Sequence, residues 1–194
     1  MTLPASLLLF VFAGLFSPGP NVILLTASGA RFGFRRTVPH VLGVACGVGV
    51  TAGLTGLGLG ALLNAAPVLK LVLQIVAASW ILYLAFKLFR ATRAKRQEAG
   101  DAPFTFLQAV LFQWVNPKVW AVALAASAFV ADQGPLAAGA ALAIAFSGIN
   151  LCVCLFWSSA GHLLGRLLSD ERLWRIFMTG MAALMAASAL LIFL

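Results

Sequence analysis

Six stretches of the chain are almost continuously apolar, each long enough to cross a bilayer as a helix, which takes about 20 residues. They cover 3–28, 38–63, 67–90, 104–131, 136–161 and 174–194. Short polar junctions separate them. Arg31, Arg35 and Arg36 mark the first, Asn64 with Pro67 the second, and a basic linker over 90–103 the third. Asp132-Gln133-Gly134-Pro135 forms the fourth, and the charged run 168–175 forms the fifth. Pro67 fixes φ and lacks an N–H, so it ends one helix and opens another. A transmembrane barrel would alternate polarity in segments of about 10 residues, and none of these stretches does. Too few residues lie outside the spans for a soluble domain, so 1–194 reads as a single transmembrane domain.

Composition agrees. Hydrophobic residues make up 62% of the chain and charged residues 9%, with a mean hydropathy of +1.04. Soluble domains carry about 25% charged residues. The net charge of +8 would suggest nucleic acid in a soluble protein, but here its placement gives another meaning. Eleven of the 13 basic residues fall in or beside the odd-numbered junctions: Arg31, Arg35, Arg36, Lys87, Arg90, Arg93, Lys95, Arg96, Arg166, Arg172 and Arg175. The even junctions hold only Lys70. The positive-inside rule then places the odd junctions in the cytoplasm and both termini outside, with no nucleic-acid partner. The first span lacks a basic leader and exceeds the usual length of a signal peptide's apolar region, so it reads as a retained span.

The six spans divide into two halves of three, about 1–93 and 104–194, which would be inverted relative to each other. Ala13-Gly14-Leu15-Phe16 precedes Ser17-Pro18-Gly19-Pro20-Asn21, and Ala109-Val110-Leu111-Phe112 precedes Gln113-Trp114-Val115-Asn116-Pro117-Lys118. The match needs a one-residue shift. A proline-centred interruption at corresponding places in two halves is the sequence mark of a transporter site at the bilayer midplane. The expected fold is therefore an all-α integral membrane protein of six transmembrane helices, arranged as two inverted three-helix repeats with broken first and fourth helices.

The breaks carry the candidate chemistry. Pro18-Gly19-Pro20 removes two backbone donors, and the half-helix that follows offers N–H groups and a positive dipole end to a carboxylate. Asn21 adds an amide that donates and accepts; the plainer alternative is a simple proline kink. Asn116-Pro117-Lys118 is the second break, with Lys118 near mid-span. A cation there marks a site unless it snorkels to an interface. Asn150 lies mid-way along the fifth span, one turn after Ser147, and fits either an interhelical hydrogen bond or a cavity wall. Gln113 fits the second break. His40 and His162 read as interfacial. Gly43/Gly47, Gly49/Gly53 and Gly56/Gly60 are close-packing pairs, inside the fold or at a homodimer face. Cys46, Cys152 and Cys154 read as small buried apolar residues. All five acids lie outside the spans and no metal-ligating cluster is visible, so no cofactor or metal is expected.

These residues resemble the LysE/RhtB family of bacterial amino acid exporters. The resemblance rests on Phe16-Ser17-Pro18-Gly19-Pro20-Asn21, Gly29-Ala30-Arg31-Phe32-Gly33 and Asn116-Pro117-Lys118, with Tyr83-Leu84-Ala85-Phe86-Lys87 at the end of the third span. It implies export of an amino acid or similar zwitterion across the cytoplasmic membrane, driven by protons. The family's motif positions map to Pro18, Gly19, Pro20, Asn21, Asn116, Pro117 and Lys118. Because span count differs among members, five spans with an inside N-terminus remains an alternative. Related families that carry thiol redox equivalents place cysteines in the first and fourth spans, and related metal-ion families use intramembrane carboxylates. This chain has neither, which favours an organic solute over an ion. A non-transporting membrane scaffold is the reading from another class. A membrane enzyme ranks below it, since no nucleophile–base or carboxylate pair is visible.

Overall fold

The structure is a computed structural model that describes residues 3–59, 67–91, 102–168 and 170–190, apart from the side chains of 67, 69 and 70. Asn64, Gly60, the Lys70 side chain, the linker residues Arg93, Lys95, Arg96, Glu98 and Asp101, and the last four residues of the sixth span lie outside that description. Helix α1 (Ala5–Phe16) and α2 (Pro20–Phe32) are followed by α3 (Phe34–Leu54), which ends in a wide π-type turn at Thr55–Leu59. Next come α4 (Pro67–Arg90), α5 (Phe106–Phe112), α6 (Pro117–Ser127), α7 (Pro135–Leu167) and α8 (Glu171–Leu190). Among the described residues four helices are long and apolar enough to span a membrane, and the number reaches six if each of the bent pairs α1–α2 and α5–α6 counts as one span.

Several boundaries differ from expectation. The fifth helix runs on to Leu167, and α2 and α3 absorb nearly all of the first basic junction. The whole turn between them is Gly33, at φ 82°, a left-handed value that glycine reaches without a Cβ penalty. Arg31 ends α2 while Arg35 and Arg36 begin α3. Two start signals are of the ordinary kind. Thr105 and Gln108 form a reciprocal capping box at α5. Asp170 accepts from the backbone N–H groups of Arg172 and Leu173 at α8.

The polarity of the fold is that of a lipid-embedded bundle. Leu9, Val68, Leu107, Leu136 and Ile144 point outward, while Thr51, His40, Gln113, Asn116 and Asn150 are buried. Lipid tails are as apolar as leucine, so helices associate through close packing of small residues. The most extensive helix contacts are α3 with α7 and α2 with α7, followed by α4 with α8. The glycines of α3 and of the turn after it face inward on both sides: Gly43 and Gly47 receive α5 at Phe106, Ala109 and Val110, and Gly49, Gly53 and, in the turn, Gly56 receive α7 at Ser147, Ala143 and Gly139. Gly29 lies against the Ser158 carbonyl, Gly161 against that of Thr26, and Gly165 against that of Ala30, so α2 and α7 meet backbone to backbone. The Gly161/Gly165 pair, four apart, was as readable as those of the second span.

The described parts of the first and third basic junctions lie at one end of the molecule, with the C-terminal part of α7. Gly33 abuts His162, and Arg31 shares a cavity wall with Arg90 and Thr105. At the opposite end Leu57 meets Gly139, and the Phe10 ring stands 5.3 Å from that of Phe129.

One expectation is overturned, that of the cysteines. His40, near the start of the second span as expected, is 2% exposed inside the protein, its ring tilted against that of Phe104 at 5.1 Å, with no partner for either ring nitrogen. The early start of α3 places it in the helix's second turn, under the start of the fourth span. Cys46 and Cys152 are exposed, and only Cys154 is buried. Because the outer face of a lipid-embedded helix is itself apolar, a small apolar residue carries no preference for the inside there.

The backbone contact of α2 with α7 makes a direct prediction. Gly161→Val drives side-chain carbon into the Thr26 carbonyl and should lower stability by about 1–3 kcal/mol, read as the unfolding midpoint in detergent. Gly148→Ala and Gly180→Ala, where a Cβ meets nothing within 4 Å, should leave the midpoint unchanged or slightly raised. Equal losses at all three positions would refute the packing account.

Candidate functional site

The first break bends the chain by 58° between α1 and α2, and the second by 66° between the α5 region and α6. Both halves restart in the same way. α2 has Pro20 at its first position and Gly19 as N-cap, and α6 has Pro117 and Asn116 in those places. Proline suits a helix start because that N–H has no intrahelical acceptor anyway. The one-residue shift between the halves has a local cause. α1 ends at Phe16 and only Ser17, Pro18 and Gly19 intervene before Pro20. α5 ends at Phe112, and a 3₁₀ turn over Gln113–Val115 takes up the extra residue before Asn116.

No side chain caps either new helix. The first-turn N–H groups of Asn21 and Lys118, with the positive ends of two dipoles, therefore face the region between the breaks. Lys118 crosses that region. Its ammonium donates to the Ser17 carbonyl, to Ser17 Oγ at 2.8 Å and to the Pro18 carbonyl at 3.4 Å. Those carbonyls lie at the C-terminal, negative end of α1. Gly19 is extended at φ −176°, a value open to any residue, so its lack of a side chain serves space instead. A Cβ there would stand 2.7 Å from Lys118 Cδ.

An amide network joins the breaks a second time. Asn21 Nδ2 donates to Gln113 Oε1 at 2.8 Å, and Gln113 Nε2 donates back to Asn21 Oδ1 at 3.2 Å and to the Ala109 carbonyl at 2.9 Å. Asn116 Nδ2 donates to Gln113 Oε1 at 3.3 Å. Gln113 is fully buried and is the hub of this network. The sequence marked it only as fitting the second break; its spacing from Asn116 was the signal for more.

A small cavity of about 20 Å³ lies among these groups. Gly19, Asn21, Asn116, Lys118 and Asn150 line it, with apolar walls from Leu15, Leu25 and Val153. Pro18 stands on the outer side of the first break, Pro20 is buried, and Pro117 is half-buried. Two buried polar atoms here have no partner, Asn116 Oδ1 and Asn150 Nδ2. Buried polar groups in folded proteins nearly always have one, so such atoms mark a place where a ligand or water is met. Asn150 is thus in the cavity wall and makes no interhelical hydrogen bond through Nδ2. Among the described residues no group of His, Cys, Asp and Glu is placed to hold a metal.

The Lys118–Gly19 crossing can be tested by a double-mutant cycle read from unfolding in detergent. Gly19→Ala should cost about 1–3 kcal/mol in the wild-type background, because it pushes the lysine off its carbonyls. In a Lys118→Ala background the same change should cost close to nothing. Equal costs in both backgrounds would show that Gly19 is not there to admit the lysine.

Comparison with known proteins agrees with this arrangement. The family profile described as LysE type translocator matches residues 12–194. The chain is 30% identical over 154 residues to the cysteine/O-acetylserine efflux protein of Salmonella typhimurium, covering 77% of each chain. It is 29% identical over 172 residues to the protein of the same name in Klebsiella pneumoniae, covering 86% of this chain and 85% of that one. It is 26% identical over 112 residues to the threonine efflux protein of Salmonella typhi, covering 54% of each. No solved structure matches. A profile match over nearly the whole chain, with both breaks inside it, makes this protein a member of the LysE type translocator family.

Proposed function

We propose that the protein exports a small polar amino acid, or a derivative such as an O-acylated one, across the bacterial cytoplasmic membrane in exchange for protons. The observation that carries this reading is the pair of unpartnered buried amide atoms, Asn116 Oδ1 and Asn150 Nδ2, beside Lys118 and two uncapped helix starts. A zwitterion has complementary parts. Its carboxylate suits the helix N-termini, Asn150 Nδ2 and the lysine ammonium. Its ammonium suits Asn116 Oδ1 and the Ser17 and Pro18 carbonyls. Lys118 holds those carbonyls now, so an arriving ammonium takes its seat and frees it for the carboxylate. A lysine that changes partner in this way is also the group best placed to exchange a proton. Relatives named for cysteine, O-acetylserine and threonine efflux support a solute of this size and polarity.

The same proposal includes six spans in two inverted halves, with the termini outside. Its support is the position of the first and third basic junctions at one end, where Gly33 meets His162, and the closeness of Phe10 to Phe129 at the other. Those contacts fit bent pairs that each cross the bilayer. A single cysteine at Arg172 in a cysteine-free chain should be labelled by impermeant reagent only in inside-out vesicles. Labelling from the opposite face would reverse the orientation.

Export is tested by counterflow in proteoliposomes with cysteine, O-acetylserine and threonine, together with a luminal pH dye. Lys118→Ala and Asn21→Ala should each reduce exchange by about tenfold or more, since each removes a charged or paired hydrogen-bonding group from the site. Wild-type rates in both variants would remove the site assignment. Transport without any luminal pH change would remove proton antiport and leave the exporter reading in place.

A further inference from the structure

A second cavity, of about 980 Å³, lies at the basic end between α2, α4 and the start of α5, far larger than the pocket at the breaks. It is built unlike a solute site. Its walls are aromatic and aliphatic, including Phe32, Phe86, Phe89 and Phe104. Among the described residues its charged wall residues are the cations Arg31, Lys87 and Arg90. Two of them lie over wall rings: the Arg31 guanidinium is 5.0 Å from the Phe32 centroid and that of Arg90 is 5.9 Å from Phe86. Neither Lys87 nor Arg90 has a carboxylate partner among the described residues. His40 also faces this cavity, buried and with both ring nitrogens unpartnered.

We propose that this cavity is a binding site for an anionic phospholipid, its phosphate headgroup held by Lys87, Arg90 and His40 and the start of its acyl chain lying along the phenylalanine walls. The chemistry of the lining favours an amphiphile over a free anion. A small anion would use the cations and leave the apolar walls idle, whereas a neutral lipid would bring no counter-charge to Lys87 and Arg90. Its place fits as well. The described parts of the first and third basic junctions lie at this end, and basic pockets between helices on the cytoplasmic side are where anionic headgroups bind. The site is separate from the breaks and does not depend on what they carry.

The test uses purified full-length protein, stripped of lipid in neutral detergent. Short-chain phosphatidylglycerol, phosphatidylcholine and glycerol phosphate are titrated separately, and the unfolding midpoint is followed. Phosphatidylglycerol should raise the midpoint saturably and less so at high salt. Lys87→Gln with Arg90→Gln, both at exposed positions, should weaken its apparent affinity about 30-fold. His40→Phe, which keeps the ring packing against Phe104, should weaken it about tenfold. Arg175→Gln, at an exposed pair with Glu171 on α8, should change nothing. Three results would each overturn the proposal: equal stabilisation by phosphatidylcholine, full stabilisation by glycerol phosphate alone, or undiminished affinity in both the Lys87/Arg90 and the His40 variants.

Discussion

Backbone polar groups in a bilayer have no water to turn to, and two helices of this protein are broken within their apolar stretches. Everything near the breaks follows from the need to satisfy the freed groups. At the C-terminal end of α1, carbonyl oxygens of Ser17 and Pro18 would face an apolar medium alone, and the ammonium of Lys118 reaches across from the other break to meet them. Lys118 would in turn be a costly charge inside a span without those oxygens. Each break thus supplies what the other lacks, and the Asn21–Gln113 amide pair joins them a second time.

That mutual dependence explains the small residues around it. Gly19 has no side chain because the lysine stem lies where its Cβ would be. The pairs of α3 and the Gly161/Gly165 pair of α7 bring helices into backbone contact, which holds the breaks at a fixed separation. Two packed clusters flank α2, one running through α1, α3, α6 and α7, the other through α4 and α8. The half-helix that follows the first break is clamped from both sides, while its N-terminal end opens onto the small cavity.

The positive ends of α2 and α6, the lysine and the unpartnered amides make a region of mixed polarity inside an apolar bundle. In a rigid structural protein such groups would be paired internally or replaced by leucine, since unpaired buried polar atoms cost about 1–3 kcal/mol each. Here they stand beside a cavity of about 20 Å³. Gln113 ties Asn21 to Asn116, so the two breaks share one hydrogen-bonded network.

The sequence by itself determined the class of the molecule. Continuous apolar runs and scarce charge dictate helices in lipid, because no other structure with internal hydrogen bonding fits that pattern. Prolines that cannot donate dictated where two spans break, and 16–21 together with 116–118 were legible for that reason. The tertiary structure decided what the polar residues of the spans do. Which carbonyls Lys118 meets, that Gln113 is the hub, that Asn150 faces the cavity and that His40 is buried all depend on residues distant in sequence. Among them, Asn21 and Gln113 are 92 positions apart. Nor could periodicity assign inside and outside to Cys46 and Cys152, because in a membrane helix both faces are apolar. Only the approach of neighbouring helices tells a buried face from one that meets lipid.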